Sequence, residues 1–180
     1  MAEVDEIAAL LLEQAKRFYE KATEAKDTDS QLAHLHAALL LGVSSLEAHV
    51  NSICDDFLVR PELNILERSL LAERDYRFDD GQFILLEGLK MYRLPERIEF
   101  LFRRFSEKPV DKTTGWWPAM KAALLIRNEL THPKRRPEIT TESAKRALSG
   151  IIDTLDAMYR AIYKRGYPAA QRELQSTLTF

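Results

Sequence analysis

Arg127 and His132 are the residues whose types and spacing best suit them to chemistry. Arg127 lies near the end of an apolar helical run, and His132 follows five positions later, directly before Pro133. Three basic residues come next: Lys134, Arg135 and Arg136. A guanidinium binds phosphate oxygens through paired N–H donors, and an imidazole exchanges protons near neutral pH. The group is suited to binding a phosphodiester and moving a proton on it.

Pro133 decides how the two side chains are placed. Residues five apart on an ideal helix point about 140° away from each other, so Arg127 and His132 would not meet there. A proline disfavours the helical conformation of the residue before it, which lets the His132 ring turn away from the helix axis. The Arg-x4-His spacing by itself is a common coincidence. The prediction therefore rests mostly on the buried setting expected for Arg127 and on the neighbouring helix that bears Glu47, with the helix end and the basic run as supporting context.

Two long amphipathic helices are predicted at the start of the chain, over residues 3–26 and 31–58. Apolar residues of the second follow alternating steps of three and four: Leu32, Leu35, Leu39, Val43, Leu46, Val50, Ile53 and Phe57. The short turn between the helices predicts an antiparallel hairpin. Glu47 and Asn51 border the apolar seam, either as rim residues or facing a polar partner inside the bundle.

Residues 62–112 are less regular and are predicted to form a helical insertion that is too poor in apolar residues to hold its own core. Residues 116–132 are predicted to be the central helix, because apolar side chains cover most of its circumference. Arg127 lies among them. A buried arginine needs a partner, either Glu47 or a bound phosphate.

A last long helix is predicted after Thr140 or Thr141, ending near Gly166. No strand pattern is evident, so the predicted fold class is all-α. The architecture is an up-and-down bundle of four to five main helices with a helical insertion in the middle. Residues 1–166 form one domain, and residues 167–180 form a tail that is frayed or docks on a partner.

Composition limits the function classes. The chain has 180 residues, 46% hydrophobic and 30% charged, with a net charge of −2. Nucleic-acid binding would therefore need a local basic patch. Cys54 is the only cysteine, which excludes an internal disulfide and fits a reducing compartment. The acidic N-terminus and the broken apolar runs predict a cytoplasmic protein with no membrane partner.

Other candidate residues have simpler interpretations. His34 and His36 are two apart on a helix and point away from each other, so they cannot share a metal. His49 has no spaced partner. Trp116 and Trp117 are better explained by core packing than by base stacking. No metal site and no cofactor are predicted.

The sequence resembles the HEPN superfamily. The resemblance rests on Arg127 to His132, which matches the family's Arg-x4–6-His motif, including the polar residue Asn128 after the arginine. The order of elements is also similar: two long helices, a variable middle, the motif at the end of a helix, and a closing helix. The segment from Ser44 to Asn51 resembles the family's second helix, whose polar residues face the motif.

The resemblance implies a metal-independent endoribonuclease that leaves 2′,3′-cyclic phosphate ends, in a toxin or phage-defence role. His132 would be the acid/base, Arg127 the phosphate stabiliser and Asn128 an orienting residue. Glu47 and Asn51 would support the motif. The basic residues Lys134, Arg135 and Arg136 would contact the RNA backbone. The partners implied are RNA, a second copy of the chain whose motif faces the first, and an antitoxin or other regulator.

The sequence departs from the family's pattern at one position, and two alternative functions stay open. Toxins of this family that are paired with a nucleotidyltransferase antitoxin often carry a modified tyrosine two positions after the histidine. Here that position is Lys134, which puts silencing by such a modification in doubt. The alternatives are a non-catalytic HEPN module that binds a nucleotide or a partner protein, and a helical assembly domain in which Arg127 pairs with Glu47 for structural reasons.

Overall fold

Two antiparallel helices, α1 (Ala2–Glu24) and α2 (Thr28–Leu58), open the computed structural model, which describes residues 2–134 and 137–180. The Asp27 carboxylate caps α2 by accepting a hydrogen bond from the Ser30 backbone N–H at 2.8 Å. Hydrogen bonds fix the antiparallel register: Gln31 to the Ala22 carbonyl, Ser45 to the Ala8 carbonyl, and Ser52 to the Asp5 carboxylate. The predicted helical hairpin is confirmed.

Helix α2 lies at the centre of the molecule. It packs against α1, against α3 (Ile65–Ala72), α4 (Leu94–Phe105) and α5 (Trp116–Thr131), and against α6 (Thr141–Tyr163). The prediction that residues 116–132 form the central helix is wrong. Its apolar side chains do cover most of the circumference, but neighbouring helices cover only the side that holds Trp117, Met120 and Ala123. Leu125 on the other side is 60% exposed.

Helix α6 holds α5 at close range. The Thr140 side chain caps α6 and accepts a hydrogen bond from the Ser143 backbone N–H. A Cβ added at Gly150 would lie 2.6 Å from the Ala119 Cβ, so only glycine permits this approach of the two backbones. The predicted last helix is confirmed, and its close approach at Gly150 fixes the first turns of α5, at Ala119 and Met120.

The middle of the chain corrects the all-α prediction. It contains a β-hairpin of strands β1 (Arg74–Asp79) and β2 (Gln82–Leu89), and the fold is mainly helical with a small two-stranded sheet. Asp80 and Gly81 form the turn, both with positive φ. Most hairpin residues are exposed. Such strands show no alternation of buried and exposed residues, which is why the sequence did not reveal them.

The tail lies along α1 and does not fray. After a short 3₁₀ helix (Ala170–Arg172), the backbone and hydroxyl of Thr177 both donate to the Glu13 carboxylate. Arg17 donates to the Phe180 carbonyl at 2.7 Å. These contacts join residues more than 150 positions apart, so the tail closes the α1 side of the bundle.

Among the described residues, one helix, α2, is long and apolar enough by length and composition to cross a membrane. Most of its apolar stretch is buried against other helices, as in the core helix of a globular domain. The cytoplasmic location stays a prediction.

Candidate active site

Arg127 in α5 pairs with Glu47 in α2. The Arg127 Nη2 donates to Glu47 Oε1 at 2.6 Å, so the partner predicted from the sequence is the one present. Burial is lower than predicted, because the two side chains are 31% and 41% exposed. The guanidinium carries five N–H donors and makes this single hydrogen bond within residues 2–134 and 137–180. It therefore keeps donor capacity for an anion.

His132 ends α5 in the conformation that Pro133 predicts. Its φ of −130° and ψ of 61° lie outside the helical region, and its backbone N–H donates to the Asn128 carbonyl at 2.9 Å. The side chain is exposed, and the ring makes no hydrogen bond to any described residue. Among the described residues, no hydrogen bond fixes this imidazole and none joins it to Arg127.

Asn51 faces Arg97 and not Arg127. Arg97 Nη1 donates to Asn51 Oδ1 at 2.6 Å and to Glu73 Oε2 at 2.8 Å, and Nη2 donates to the Leu71 carbonyl. Arg97 is 4% exposed, a burial that the sequence did not predict. Its position four residues before the buried Leu101 was the missed signal, since residues at that spacing share a helix face.

A groove of about 840 Å³ opens beside the Arg127–Glu47 pair. Helices α2, α4 and α5 and the segment between β2 and α4 form its walls. Four predicted site residues line it: Glu47, Asn51, Arg127 and Asn128. His132 does not line it. The arginine thus lies where the groove meets the helix end, and the histidine lies beyond that end.

The remaining candidates separate into two groups. Lys134 is exposed, while Arg135 and Arg136 lie outside the described residues. Trp117 is buried and Trp116 stacks on Phe102, so this pair belongs to the core as predicted. No three His, Cys, Asp or Glu side chains lie together, within the described part of the chain, in a way that would hold a metal ion.

Two buried groups have their chemistry suppressed by the fold. Burial raises the pKa of the Cys54 thiol to about 11, which keeps it protonated and unreactive. Burial lowers the pKa of His49, whose ring bonds to the Ser45 carbonyl at 2.8 Å and to the Tyr167 hydroxyl at 3.1 Å. Both residues are structural.

Comparison with known proteins adds no assignment: no family model, no curated protein and no solved structure matches this chain.

Proposed function

We propose that the protein is a HEPN-like, metal-independent endoribonuclease whose site is formed by Arg127 and His132. One observation supports this most. Arg127 is held by Glu47 at the edge of an open groove with unused N–H donors, and an unrestrained imidazole follows on the same helix end. An arginine with spare donors suits a phosphate, and an exposed histidine suits proton transfer.

The reaction requires one proton acceptor and one stabiliser of negative charge. His132 takes the proton from the ribose 2′-hydroxyl, and the 2′-oxygen forms a bond to phosphorus. The bond from phosphorus to the 5′-oxygen breaks, and that oxygen takes a proton from the imidazolium that His132 has become, so the proton count balances. The products are a 2′,3′-cyclic phosphate and a 5′-hydroxyl. Arg127 stabilises the added charge on the phosphoryl oxygens, and Asn128 orients the reacting group.

RNA outside the groove is bound by the basic run. Lys134 is exposed just beyond His132, and Arg135 and Arg136 follow it in sequence. Contacts from these side chains to phosphates position the strand without reading its bases. Affinity for RNA should therefore fall with rising salt.

A second copy of the chain is expected to complete the site. Each chain offers one Arg127 and one His132, and no hydrogen bond joins their side chains. A homodimer with the two motifs facing each other would supply two imidazoles to one phosphate. Sedimentation at concentrations that bracket the assay checks this: a dimer is expected, and a monomer that cleaves RNA would contradict the shared site.

The cellular setting is proposed from the family resemblance. A ribonuclease of this type would act in the cytoplasm as a toxin or phage-defence effector and would be held in check by an antitoxin or other regulator. Lys134 occupies the place where the family's modified tyrosine would stand. Control by binding is therefore expected in place of control at that position.

One observation favours a second candidate, a non-catalytic module that binds a nucleotide or a partner protein. The groove that Arg127 lines does not include His132. If the protein is such a module, a bound ligand should raise its melting temperature, and RNA should not be cleaved. Stabilisation by a nucleotide in a sample that cleaves no RNA would select this candidate.

To test the nuclease proposal, the rate at which single-stranded RNA is cleaved in EDTA is measured for the wild type and for Arg127→Ala. Arg160→Ala is the matched control, because Arg160 also has a carboxylate partner at 2.6 Å but lies on the exposed side of α6. We expect R127A to lose about 100-fold or more in rate and R160A to cleave like the wild type. Equal rates for all three proteins would reject the role of Arg127.

A further inference from the structure

The groove beside Arg127 has an excess of positive charge. Two of its four cationic side chains are neutralised, Arg97 by Glu73 and Arg127 by Glu47. The other two, Arg93 and Lys121, are exposed and form no ion pair with a described residue. A groove with two uncompensated cations attracts an anion.

The other walls of the groove are apolar. Met91 is 80% exposed and Leu125 is 60% exposed, and Leu94 and Pro95 also line the groove. Thioether and aliphatic side chains of this kind pack against flat rings. The volume of about 840 Å³ falls in the range of sites for small organic ligands. The groove therefore combines phosphate-binding cations with a surface for a planar apolar group.

A nucleotide has both parts. We propose that this groove seats the nucleotide next to the cleaved phosphate in single-stranded RNA, with Lys121 and Arg93 on a neighbouring phosphate and with Met91 and Leu125 against the base. Lys121 precedes Arg127 by six residues, which is about 9 Å along a helix. That length is on the scale of one or two nucleotide steps.

This inference rests on the proposed nuclease function. It places the RNA strand along helix α5. The strand enters the groove beside Lys121, passes Arg127 and continues past His132 towards Lys134. The groove then contributes substrate binding, and the helix end contributes chemistry. Removing Arg93 and Lys121 should mainly raise KM, whereas loss of Arg127 or His132 should lower kcat.

The test uses a fluorescent 2′-O-methyl oligonucleotide, which cannot be cleaved because its 2′-oxygen is blocked. The variant R93A/K121A is compared with R103A/K108A, which removes two exposed cations that do not line the groove. We expect R93A/K121A to weaken binding about tenfold or more, since each phosphate contact is a large part of single-strand affinity. The control should change it less than about threefold. All substituted side chains are exposed, and unchanged thermal unfolding checks the fold.

Two further arms separate the outcomes. Leu125→Ser should weaken binding without changing its salt dependence, because it removes contact with a base and no charge. Adenosine monophosphate is added as a competitor, to detect a site for free nucleotides. Equal binding by R93A/K121A and R103A/K108A would overturn the proposal, as would binding of the mononucleotide by a protein that does not bind the oligonucleotide. If the oligonucleotide binds through Arg93 and Lys121 but no RNA is cleaved, the groove assignment stands and the nuclease proposal fails.

Discussion

Glu13 in α1 and Glu47 in α2 each bind an arginine, but the two carboxylates have different surroundings. Glu13 accepts from Arg172, from the backbone and hydroxyl of Thr177, and from the fully buried Lys16. Glu47 accepts from Arg127 at 2.6 Å, and both of these side chains remain partly exposed. A carboxylate whose oxygens are all used holds the fold together. An ion pair with unused donors at a groove is available to a ligand.

The histidines repeat this contrast. His49 is buried, with both ring nitrogens bonded, and burial lowers the pKa of its imidazole. His132 is exposed, and its ring has no hydrogen bond among the described residues. One ring is fixed by two hydrogen bonds, while the other is exposed and is fixed by none from the described residues. The saturated cluster around α1 and the tail should govern stability, and the open cluster at the end of α5 should govern activity.

The largest effect is expected from Glu13→Ala. Among the described residues, this change leaves the buried Lys16 ammonium with the Ala169 carbonyl as its one remaining partner. It also removes the hydrogen bonds from Thr177 and Arg172 that help to hold the tail on α1. Breaking a buried pair typically costs about 3–5 kcal/mol. Glu47→Ala, at a partly exposed pair, should cost less than about 1 kcal/mol. Urea unfolding of the two variants measures both losses of unfolding free energy. Similar losses would show that the Glu13 and Glu47 clusters do not differ in their contribution to stability.

The second prediction concerns acid. Burial alone would raise the pKa of Glu13, but hydrogen bonds from Thr177 and Arg172 and the charge of Lys16 outweigh it, and the pKa falls from 4.5 to about 2. The folded carboxylate therefore binds its proton less readily than the unfolded one. Its stabilisation is complete above about pH 4.5 and is lost as the pH falls towards 2.

Glu13→Gln carries no titrating group at that position, so it isolates the effect. The difference in unfolding free energy between the wild type and E13Q should shrink when the pH is lowered from about 6 to about 3. This difference should decrease by no more than about 1.4 kcal/mol for each pH unit. Urea titrations at several pH values provide the measurement. A difference that stays constant would show that the Glu13 contacts do not favour its charged form.

The smallest effect is expected at Lys134. If it contacts one phosphate, Lys134→Ala should reduce the slope of log affinity against log salt by about 0.7 for a single strand. Lys108→Ala, in an exposed loop after α4, is the control. Anisotropy of a 2′-O-methyl oligonucleotide at several salt concentrations gives the slopes. Identical slopes for both variants would show that Lys134 does not contact an RNA phosphate.

Local patterns in the sequence predicted much of this fold. The seam from Leu35 to Phe57 predicted the apolar surface through which α2 packs. The Glu47–Arg127 pair followed from an arginine at an apolar position of α5 and an acid that borders the seam of α2. The β-hairpin was missed because both strands are largely exposed. The Glu13 cluster was missed because it joins Glu13 to Thr177, and no local periodicity encodes a contact at that separation.

The site was predicted only in its parts. The sequence identified Arg127, its partner Glu47, and the helix end at His132. It did not place Arg97 inside the bundle, and it grouped Asn51 with the motif, although Asn51 accepts a hydrogen bond from Arg97. The groove depends on how α4 and the segment after β2 pack beside α5, so its residues became visible only in three dimensions.

The most direct test compares substitutions at the two histidines, His132 and His49. RNA cleavage in EDTA, with detection of 2′,3′-cyclic phosphate ends, and the free energy of unfolding are measured for His132→Ala and His49→Ala. We expect H132A to lose about 100-fold or more in rate while its stability changes by less than about 0.5 kcal/mol. H49A should lose about 2 kcal/mol of stability, because it leaves the buried Tyr167 hydroxyl without its partner, and should cleave RNA below its melting temperature. If H132A cleaves as fast as the wild type, or if no RNA is cleaved by any of the three proteins, His132 is not the proton acceptor of a ribonuclease.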